Sequence, residues 1–133
     1  MTPFGAKLRR MRLQRKISLK EMAERLDVSS AYLSALEHGK RGKPTWFLIQ
    51  RIIAYFNVIW DEAEELQRLA EISDPNPTIR TAGLDPHATE LANLLADRID
   101  QLSVDSLEAL ILQLRAASSR DKGLGSPDLR DQT

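Results

Sequence analysis

Residues 18–44 read SLKEMAERLDVSSAYLSALEHGKRGKP and contain the signals of two short helices that follow each other closely. Ser18 is a favourable N-cap, and Glu21, three residues later, completes a capping box, in which each of the two side chains bonds a backbone N–H of the first turn. This box predicts a helix over residues 19–26, the second helix of the chain, whose apolar residues recur on one face.

The third helix of the chain is predicted within the same stretch, and the first is predicted before it from the helical spacing of Phe4, Leu8 and Met11. The third helix begins after an N-cap at Ser29 or Ser30 and ends at His38-Gly39, since glycine is the usual residue where a chain turns left-handed after a helix. About three residues join the two helices, and a basic loop, residues 40–44, follows them. This layout is typical of a DNA-binding helix-turn-helix, whose second helix enters the major groove.

Helical periodicity continues on both sides of this stretch and strand signals are nearly absent, so the sequence predicts an all-α fold. Residues 1–72 are expected to form a five-helix domain, with the fifth helix over 58–72. Prolines at positions 75 and 77 resist helix, and residues 73–84 are interpreted as an extended linker. Residues 85–117 predict a C-terminal antiparallel helical hairpin, and the polar segment 118–133 is predicted to be disordered.

The charges are distributed unevenly along the 133 residues. The whole chain carries 19 Lys and Arg against 19 Asp and Glu, which alone would argue against a nucleic-acid binder. Residues 1–51, however, hold twelve bases against four acids, a net charge of +8, and residues 52–133 hold seven against fifteen, a net charge of −8. Such asymmetry indicates either nucleic-acid contact by the first part or simply two differently solvated surfaces.

The composition also limits the function classes. Without cysteine there is no disulfide scaffold, thiolate metal site or cysteine nucleophile. The longest apolar run has five residues, 52–56, far short of a membrane span, and no signal peptide is visible, so a cytoplasmic protein is expected.

No residues in the sequence point to catalysis. The two histidines, His38 and His87, lie far apart, and the acidic run over 61–65 is interpreted as a solvated helix face. Trp46 and Trp60 are interpreted as core or rim packing residues of the fourth helix, which begins after a cap at Thr45, and of the fifth helix. We therefore expect no metal, no cofactor and no enzymatic activity.

Residues 4–60 resemble the lambda-repressor-like (Cro/XRE) helix-turn-helix family of transcriptional regulators. The match runs without a gap through SLKEMAERLDVSSAYLSALEHGKRGKP and then TWFLIQRIIAYFNV. Two positions depart from the family pattern, because Asp27 stands where the turn usually has glycine and Leu19 stands where glutamine often supports a phosphate contact. Residues 73–133 carry no resemblance of equal specificity.

The resemblance implies a DNA interface on the third helix. Its base-contacting positions are small and offer no bidentate Arg, Asn or Gln contact, so DNA shape is expected to supply part of the specificity; they are Ser29, Ser30, Ala31, Ser34 and Ala35. Positions implied to contact the DNA backbone are Lys20, Tyr32, Lys40, Arg41 and Lys43. The alternative for the serines is helix capping, and for Tyr32, placed on the exposed side of the helix, it is packing against the second helix.

Arg12 and Glu37 occupy positions that in many relatives form a partly buried ion pair between the first and third helices. In that case the pair orients the recognition helix, and removing one partner strands the other charge. The alternative is an exposed surface pair of little energetic value.

The C-terminal hairpin is too small to be stable alone and is expected to pack on another surface. A homodimer that reads a palindromic operator in double-stranded DNA is the first interpretation. The alternative is a binding module for a protein partner such as a toxin, as in an antitoxin that also binds its own operator. The residues expected on this surface are Leu91, Leu95, Ile99, Leu107, Ile111 and Leu114. The function predicted from the sequence is a sequence-specific transcriptional regulator, a repressor rather than an activator.

Overall fold

The computed structural model describes residues 1–40 and 42–124, and every regular element in these residues is helical, which confirms the all-α prediction. The chain divides into two compact units, residues 1–78 and 79–133. The first unit contains five helices: α1 Pro3–Gln14, α2 Leu19–Leu26, α3 Ser30–Glu37, α4 Trp46–Phe56 and α5 Asp61–Glu71. The second contains α6 Pro86–Arg98, a 3-10 turn Ile99–Gln101 and α7 Val104–Leu124.

Hydroxyl and carboxylate caps start most of these helices. Ser18 accepts a hydrogen bond from the Glu21 N–H, Ser29 accepts one from the Tyr32 N–H, and Thr45 accepts one from the Leu48 N–H. Each cap satisfies a backbone donor that has no partner within its helix. Of the two serines considered for α3, Ser29 is therefore the cap and Ser30 is the first helical residue.

Left-handed residues end α2 and α4. Asp27 has φ 58° and ψ 44°, and Asn57 has φ 53° and ψ 39°. Asp and Asn tolerate this region better than other non-glycine residues, because their short side chains can hydrogen-bond locally. The turn between α2 and α3 therefore forms with Asp27 in the position where glycine was expected by resemblance.

The core of the first unit lies where all five helices meet, with α1 packing on α3 and α5, α2 on α3 and α4, and α4 on α5. Its fully enclosed side chains come from all five helices and include Phe4, Met22, Leu33, Ile52 and Leu66. These apolar residues lie at helical spacing in the sequence, so burial of one face of each helix accounts for the packing. The core holds α3 from behind and leaves its other face exposed.

The second unit is a helical hairpin in which α6 and α7 line one apolar groove. The Asp85 carboxylate caps α6 and the Ser103 hydroxyl caps α7. No residue of α6 is buried, and Leu91, Ile99 and Leu114 expose 56%, 51% and 63% of their surfaces. The apolar side chains of α6 and α7 therefore face one groove but stay largely exposed to solvent.

The structure differs from the predicted elements in three places. Helix α5 begins at Asp61 rather than at position 58, because Trp60 has a positive φ of 55° that interrupts the helix before it. Ser73, predicted to begin the linker, is buried in the first unit and accepts a hydrogen bond from the Phe4 N–H at 2.9 Å. Between the units, residues 77–81 lack regular structure as expected, but a turn follows at Gly83, where φ is 83°.

The third difference concerns the end of the hairpin. Helix α7 continues to Leu124, although disorder was predicted from residue 118. Residues 118–122 contain no proline or glycine, so nothing in their backbone chemistry opposes the helix that the preceding apolar turns have started. The rest of the predicted tail, residues 125–133, lies outside the described residues.

Candidate nucleic-acid interface

Helix α3 is held against α1 at very short range. A Cβ atom on Gly5 of α1 would lie 2.5 Å from the Leu36 carbonyl oxygen and 2.6 Å from the Glu37 carbonyl oxygen. Only glycine permits this approach, because any side chain would collide with the backbone of the last turn of α3. The position of α3 is therefore set by backbone-to-backbone packing at its C-terminal end.

An ion pair fixes the same end of α3. The Arg12 Nε donates to Glu37 Oε2 at 2.8 Å, and Arg12 Nη2 donates to Glu37 Oε1 at 3.0 Å. The Glu37 side chain is 1% exposed and the Arg12 side chain 12% exposed, so the pair is buried rather than a surface contact. The hydrogen bond to Glu37 raises the pKa of Arg12, which stays charged. Arg12 also donates to the Ile17 carbonyl oxygen at 3.0 Å, which ties the α1–α2 loop to the pair.

The opposite, N-terminal end of α3 is open to solvent. Ser29, Ser30 and Ala31 are exposed, whereas Ser34 and Ala35, one turn further along, are half-buried. The five positions predicted for base contact therefore form a graded surface, with the first three residues projecting furthest. Small side chains on an exposed helix end allow the backbone to approach another surface closely.

The predicted phosphate-contacting residues lie on the segments that precede and follow α3 in the chain, apart from Tyr32 on α3 itself. Lys20 is exposed in the first turn of α2, and Lys43 is exposed in the loop that joins α3 to α4, where Lys40 also lies. Arg41, expected in the same loop, lies outside the described residues. Tyr32 differs from its expected exposed position, because it is half-buried and packs partly against the core.

A cleft between the start of α3 and the start of α4 contains residues that the sequence did not identify. Phe47 and Arg51 of α4 line it together with residues of the α2–α3 turn and of α3; the remaining lining residues are Val28, Ser29, Tyr32, Thr45 and Leu48. Arg51 donates to the Leu26 carbonyl oxygen at 3.2 Å, which holds the α4 side chain against the end of α2. In the sequence, the only indication of a role for Phe47 and Arg51 is that they follow shortly after the basic loop, residues 40–44.

Of the two packing roles expected for the tryptophans, core packing is wrong for both. Trp46 exposes 64% of its surface at the start of α4, and Trp60 exposes 80% just before α5. Each lies at a helix end, where the core no longer covers the side chain. Trp46 packs edge-to-face on Phe47, with 5.3 Å between ring centroids.

The acidic face of α5 lies near a lysine of α1. Lys7 Nζ is 3.7 Å from Glu65 Oε2 and 3.9 Å from Glu62 Oε1.

The two histidines each lie close to one oxygen atom: His38 Nδ1 is 2.8 Å from the Ser34 carbonyl oxygen, and His87 Nδ1 is 2.7 Å from Asp85 Oδ1. Over residues 1–40 and 42–124, no cluster of three or more His, Asp or Glu side chains could hold a metal ion. Within the same ranges, no helix has the length and apolar character that crossing a membrane requires.

Residues 3–69 match the family described as helix-turn-helix domain. The uncharacterized HTH-type transcriptional regulator RghRB of Bacillus subtilis (strain 168) is 38% identical over 61 residues, which are 46% of this chain and 44% of that protein. The match thus spans less than half the length of this curated relative. The solved SinR protein/SinI protein complex contains a chain with a TM-score of 0.41 and 20% identity, covering 87% of this chain and 98% of that one.

Proposed function

The chain belongs to the helix-turn-helix domain family, and on this premise we propose that it is a sequence-specific DNA-binding transcriptional regulator that inserts α3 into the major groove as a dimer. A repressor rather than an activator is the expected form. The family match and the curated relative support the coarser function, DNA-binding transcription regulation, and the finer statements are our own.

The observation that carries this proposal is the exposed N-terminal end of α3. Recognition helices present their N-terminal residues to base edges, and here Ser29, Ser30 and Ala31 are exposed while the C-terminal end is locked by the Arg12–Glu37 pair. Serine hydroxyls can hydrogen-bond to several bases, and alanine can contact a thymine methyl group. A rigidly held helix with an open, small-residue end is suited to groove entry.

Basic residues on the segments before and after α3 support backbone contact. Lys20 lies at the start of α2, and Lys40 and Lys43 follow α3 in the loop that leads to α4. The segment that holds them, residues 1–51, has twelve bases against four acids. Contacts with phosphates release counterions, so that the logarithm of affinity falls with the logarithm of salt by about 0.9 per contact.

The salt dependence tests the backbone contacts. In the full chain, replacing Lys40 and Lys43 by glutamine should weaken binding to all sequences and flatten the slope by about 0.9 for each phosphate that is no longer neutralised. The matched control replaces Arg115 and Arg120, two exposed cations of α7, by glutamine and should leave the slope as it is. Equal slopes for both double variants would remove the loop from the interface.

A charge at the exposed end of α3 tests groove entry. Ser30→Asp should abolish specific binding in a gel-shift assay, because the added carboxylate would face the polyanion and be repelled by it. Ser119→Asp adds the same charge on α7 and serves as the control. If Ser30→Asp binds as tightly as the parent chain, α3 is not the reading helix.

The hairpin supports dimerisation in the second unit. Ten residues between Leu91 and Ala117 line its groove, all apolar except Gln113, and include the whole predicted surface: Leu91, Leu95, Ile99, Leu107, Ile111 and Leu114. Exposure of this leucine and isoleucine surface to water costs free energy, and a matching apolar surface that covers it stabilises the hairpin. A second copy supplies such a surface by two-fold symmetry, as a palindromic operator requires.

The oligomeric state of full-chain variants tests this surface. Leu95→Asp places a charge in the groove and should shift the chain from dimer to monomer in sedimentation equilibrium. Ala96→Asp adds the same charge to the next residue of α6, which does not line the groove, and should stay dimeric. A parent chain that is monomeric, or a Leu95→Asp variant that remains dimeric, would contradict hairpin dimerisation and favour a protein partner.

A further inference from the structure

Two aromatic side chains at the start of α4 are exposed next to the recognition end of α3. Trp46 exposes 64% and Phe47 exposes 73% of its surface, and their rings pack edge-to-face at an interplanar angle of 81°. Neighbouring exposed rings form an apolar patch of the kind that marks an interaction site. Neither ring contributes to the buried core, so stability of the fold does not explain their presence.

We propose that Phe47 contacts the C5 methyl group of a thymine in the bound DNA, with Trp46 supporting the Phe47 ring from its side. This inference rests on the proposed function, and it adds an apolar, specificity-determining residue from α4 to the reading surface of α3. The proposed ligand of the exposed aromatic pair is therefore a thymine at the rim of the major groove.

The position of Phe47 carries the first step of the argument. Phe47 lines the same cleft as Ser29, the N-cap of α3, and Tyr32, in the first turn of α3. A helix that presents its N-terminal turn to base edges therefore brings the Phe47 ring to the same groove. Among the groups that base pairs present in the major groove, the thymine methyl is the apolar one, and phenylalanine is among the side chains that contact it.

The charge around the patch identifies DNA rather than a second copy as the occupant. Lys43 is exposed four residues before Phe47, and Arg51 lines the cleft itself. Two copies that met through this face would bring together segments of net charge +8 each, from twelve bases against four acids. Like charges repel, whereas the phosphates of DNA attract this surface.

The small residues of α3 explain why an additional contact with a base would increase sequence specificity. Ser29, Ser30 and Ala31 provide no bidentate pair with a base, so the discrimination available from α3 alone is modest. An aromatic ring beside them can distinguish thymine from cytosine, which lacks the methyl group. The Phe47 contact thus adds sequence information where α3 supplies little.

Uracil substitution isolates this methyl group. A duplex is first selected from a random pool by the full chain, and each thymine is then replaced by uracil, which removes the methyl and leaves base pairing unchanged. Uracil at the contacted position of one half-site should cost the parent chain about fourfold in affinity, the value of one buried methyl. Phe47→Ala removes the contact from both half-sites of the dimer, so it should bind the thymine duplex about sixteenfold more weakly and show no further loss with uracil there.

Two variants serve as controls. Phe47→Leu keeps an apolar side chain and should retain part of the thymine preference, and Ile59→Ala removes an exposed apolar residue that does not line the cleft and should behave as the parent chain. Because Phe47 is exposed, thermal melts of its variants should match the parent.

Two results separate the inference from the proposed function. If the parent chain selects no duplex, the proposed function fails. If it selects one but every uracil effect is the same in the parent chain and in Phe47→Ala, the function stands and the Phe47 contact is wrong.

Discussion

The Arg12 guanidinium and the Glu37 carboxylate form two hydrogen bonds of 2.8 and 3.0 Å that join α1 to the last turn of α3. Burial of the pair removes it from competition with water, and the third bond from Arg12 to the Ile17 carbonyl oxygen satisfies another donor. The pair therefore acts as a geometric constraint on α3: its C-terminal end is fixed while its N-terminal end stays exposed.

Glu37→Ala should destabilise the first unit by about 3 kcal/mol, because the Arg12 charge would lose its buried partner. The lower end of the usual range applies, since Arg12 keeps its bond to Ile17 and reaches water at 12% of its side-chain surface. A thermal melt should shift down by more than about 10 °C. Glu24→Ala, at an exposed carboxylate of α2, should shift the melt little. A shift of a degree or two for Glu37→Ala would show that the pair contributes no more than a surface contact.

Gly5→Ala should destabilise the fold by about 1–3 kcal/mol through overpacking. The added Cβ would meet the carbonyl oxygens of Leu36 and Glu37 at 2.5 and 2.6 Å, and both belong to backbone that cannot rotate away. Gly42→Ala is the matched control, because a Cβ there would meet no described atom within 4 Å. Chemical denaturation of both variants measures the difference, and equal midpoints would contradict close α1–α3 contact.

Asp27→Gly should stabilise the first unit by about 0.5–1 kcal/mol, because the Cβ atom costs energy in left-handed backbone that glycine does not incur. Asp27 has φ 58°, and the relief of this cost exceeds the entropy that glycine adds to the unfolded chain. Glu24→Gly, in the interior of α2, should instead destabilise by about 1 kcal/mol. Denaturation midpoints that move in the same direction for the two variants would contradict the left-handed geometry at position 27.

The Asp85 carboxyl should titrate with a pKa below the ordinary value of 3.8 for aspartate. The hydrogen bond from the His87 backbone N–H is the main cause of the lowered pKa, and the His87 side chain adds to it. Since the folded-state pKa is below the unfolded one, the capping contribution is present above pH 3.8 and is lost as the pH falls through the folded value. Carboxyl NMR measures the pKa, and Asp85→Ser, which caps without titrating, should remove any acid-induced fraying of α6. A midpoint above 3.8 would contradict the cap.

The helix starts were predictable because their caps are local. Ser18, Thr45 and Asp85 each accept a bond from a backbone N–H two or three residues later, so the residues that define the helix start stand beside each other in the sequence. The left-handed ends at Asp27 and Asn57 are local in the same sense. The start of α5 was placed three residues too early, because an acidic, helix-favouring segment gives no sign of the positive φ at Trp60.

The candidate interface likewise has features that the local sequence predicts and features that only tertiary packing determines. The sequence pattern of capping boxes, apolar spacing and uneven charge was sufficient to identify two short helices, the basic loop and a helix-turn-helix layout, because each depends on contacts within a few residues. Other features depend on how distant segments pack. They are the burial of the Arg12–Glu37 pair, the hydrogen bond from the Phe4 N–H to Ser73 across 69 positions, and the cleft that Phe47 and Ser29 both line. Burial is a property of the packed core. The exposure of Phe47 and the burial of Glu37 are therefore determined by how the helices pack against each other, and the local sequence does not specify them.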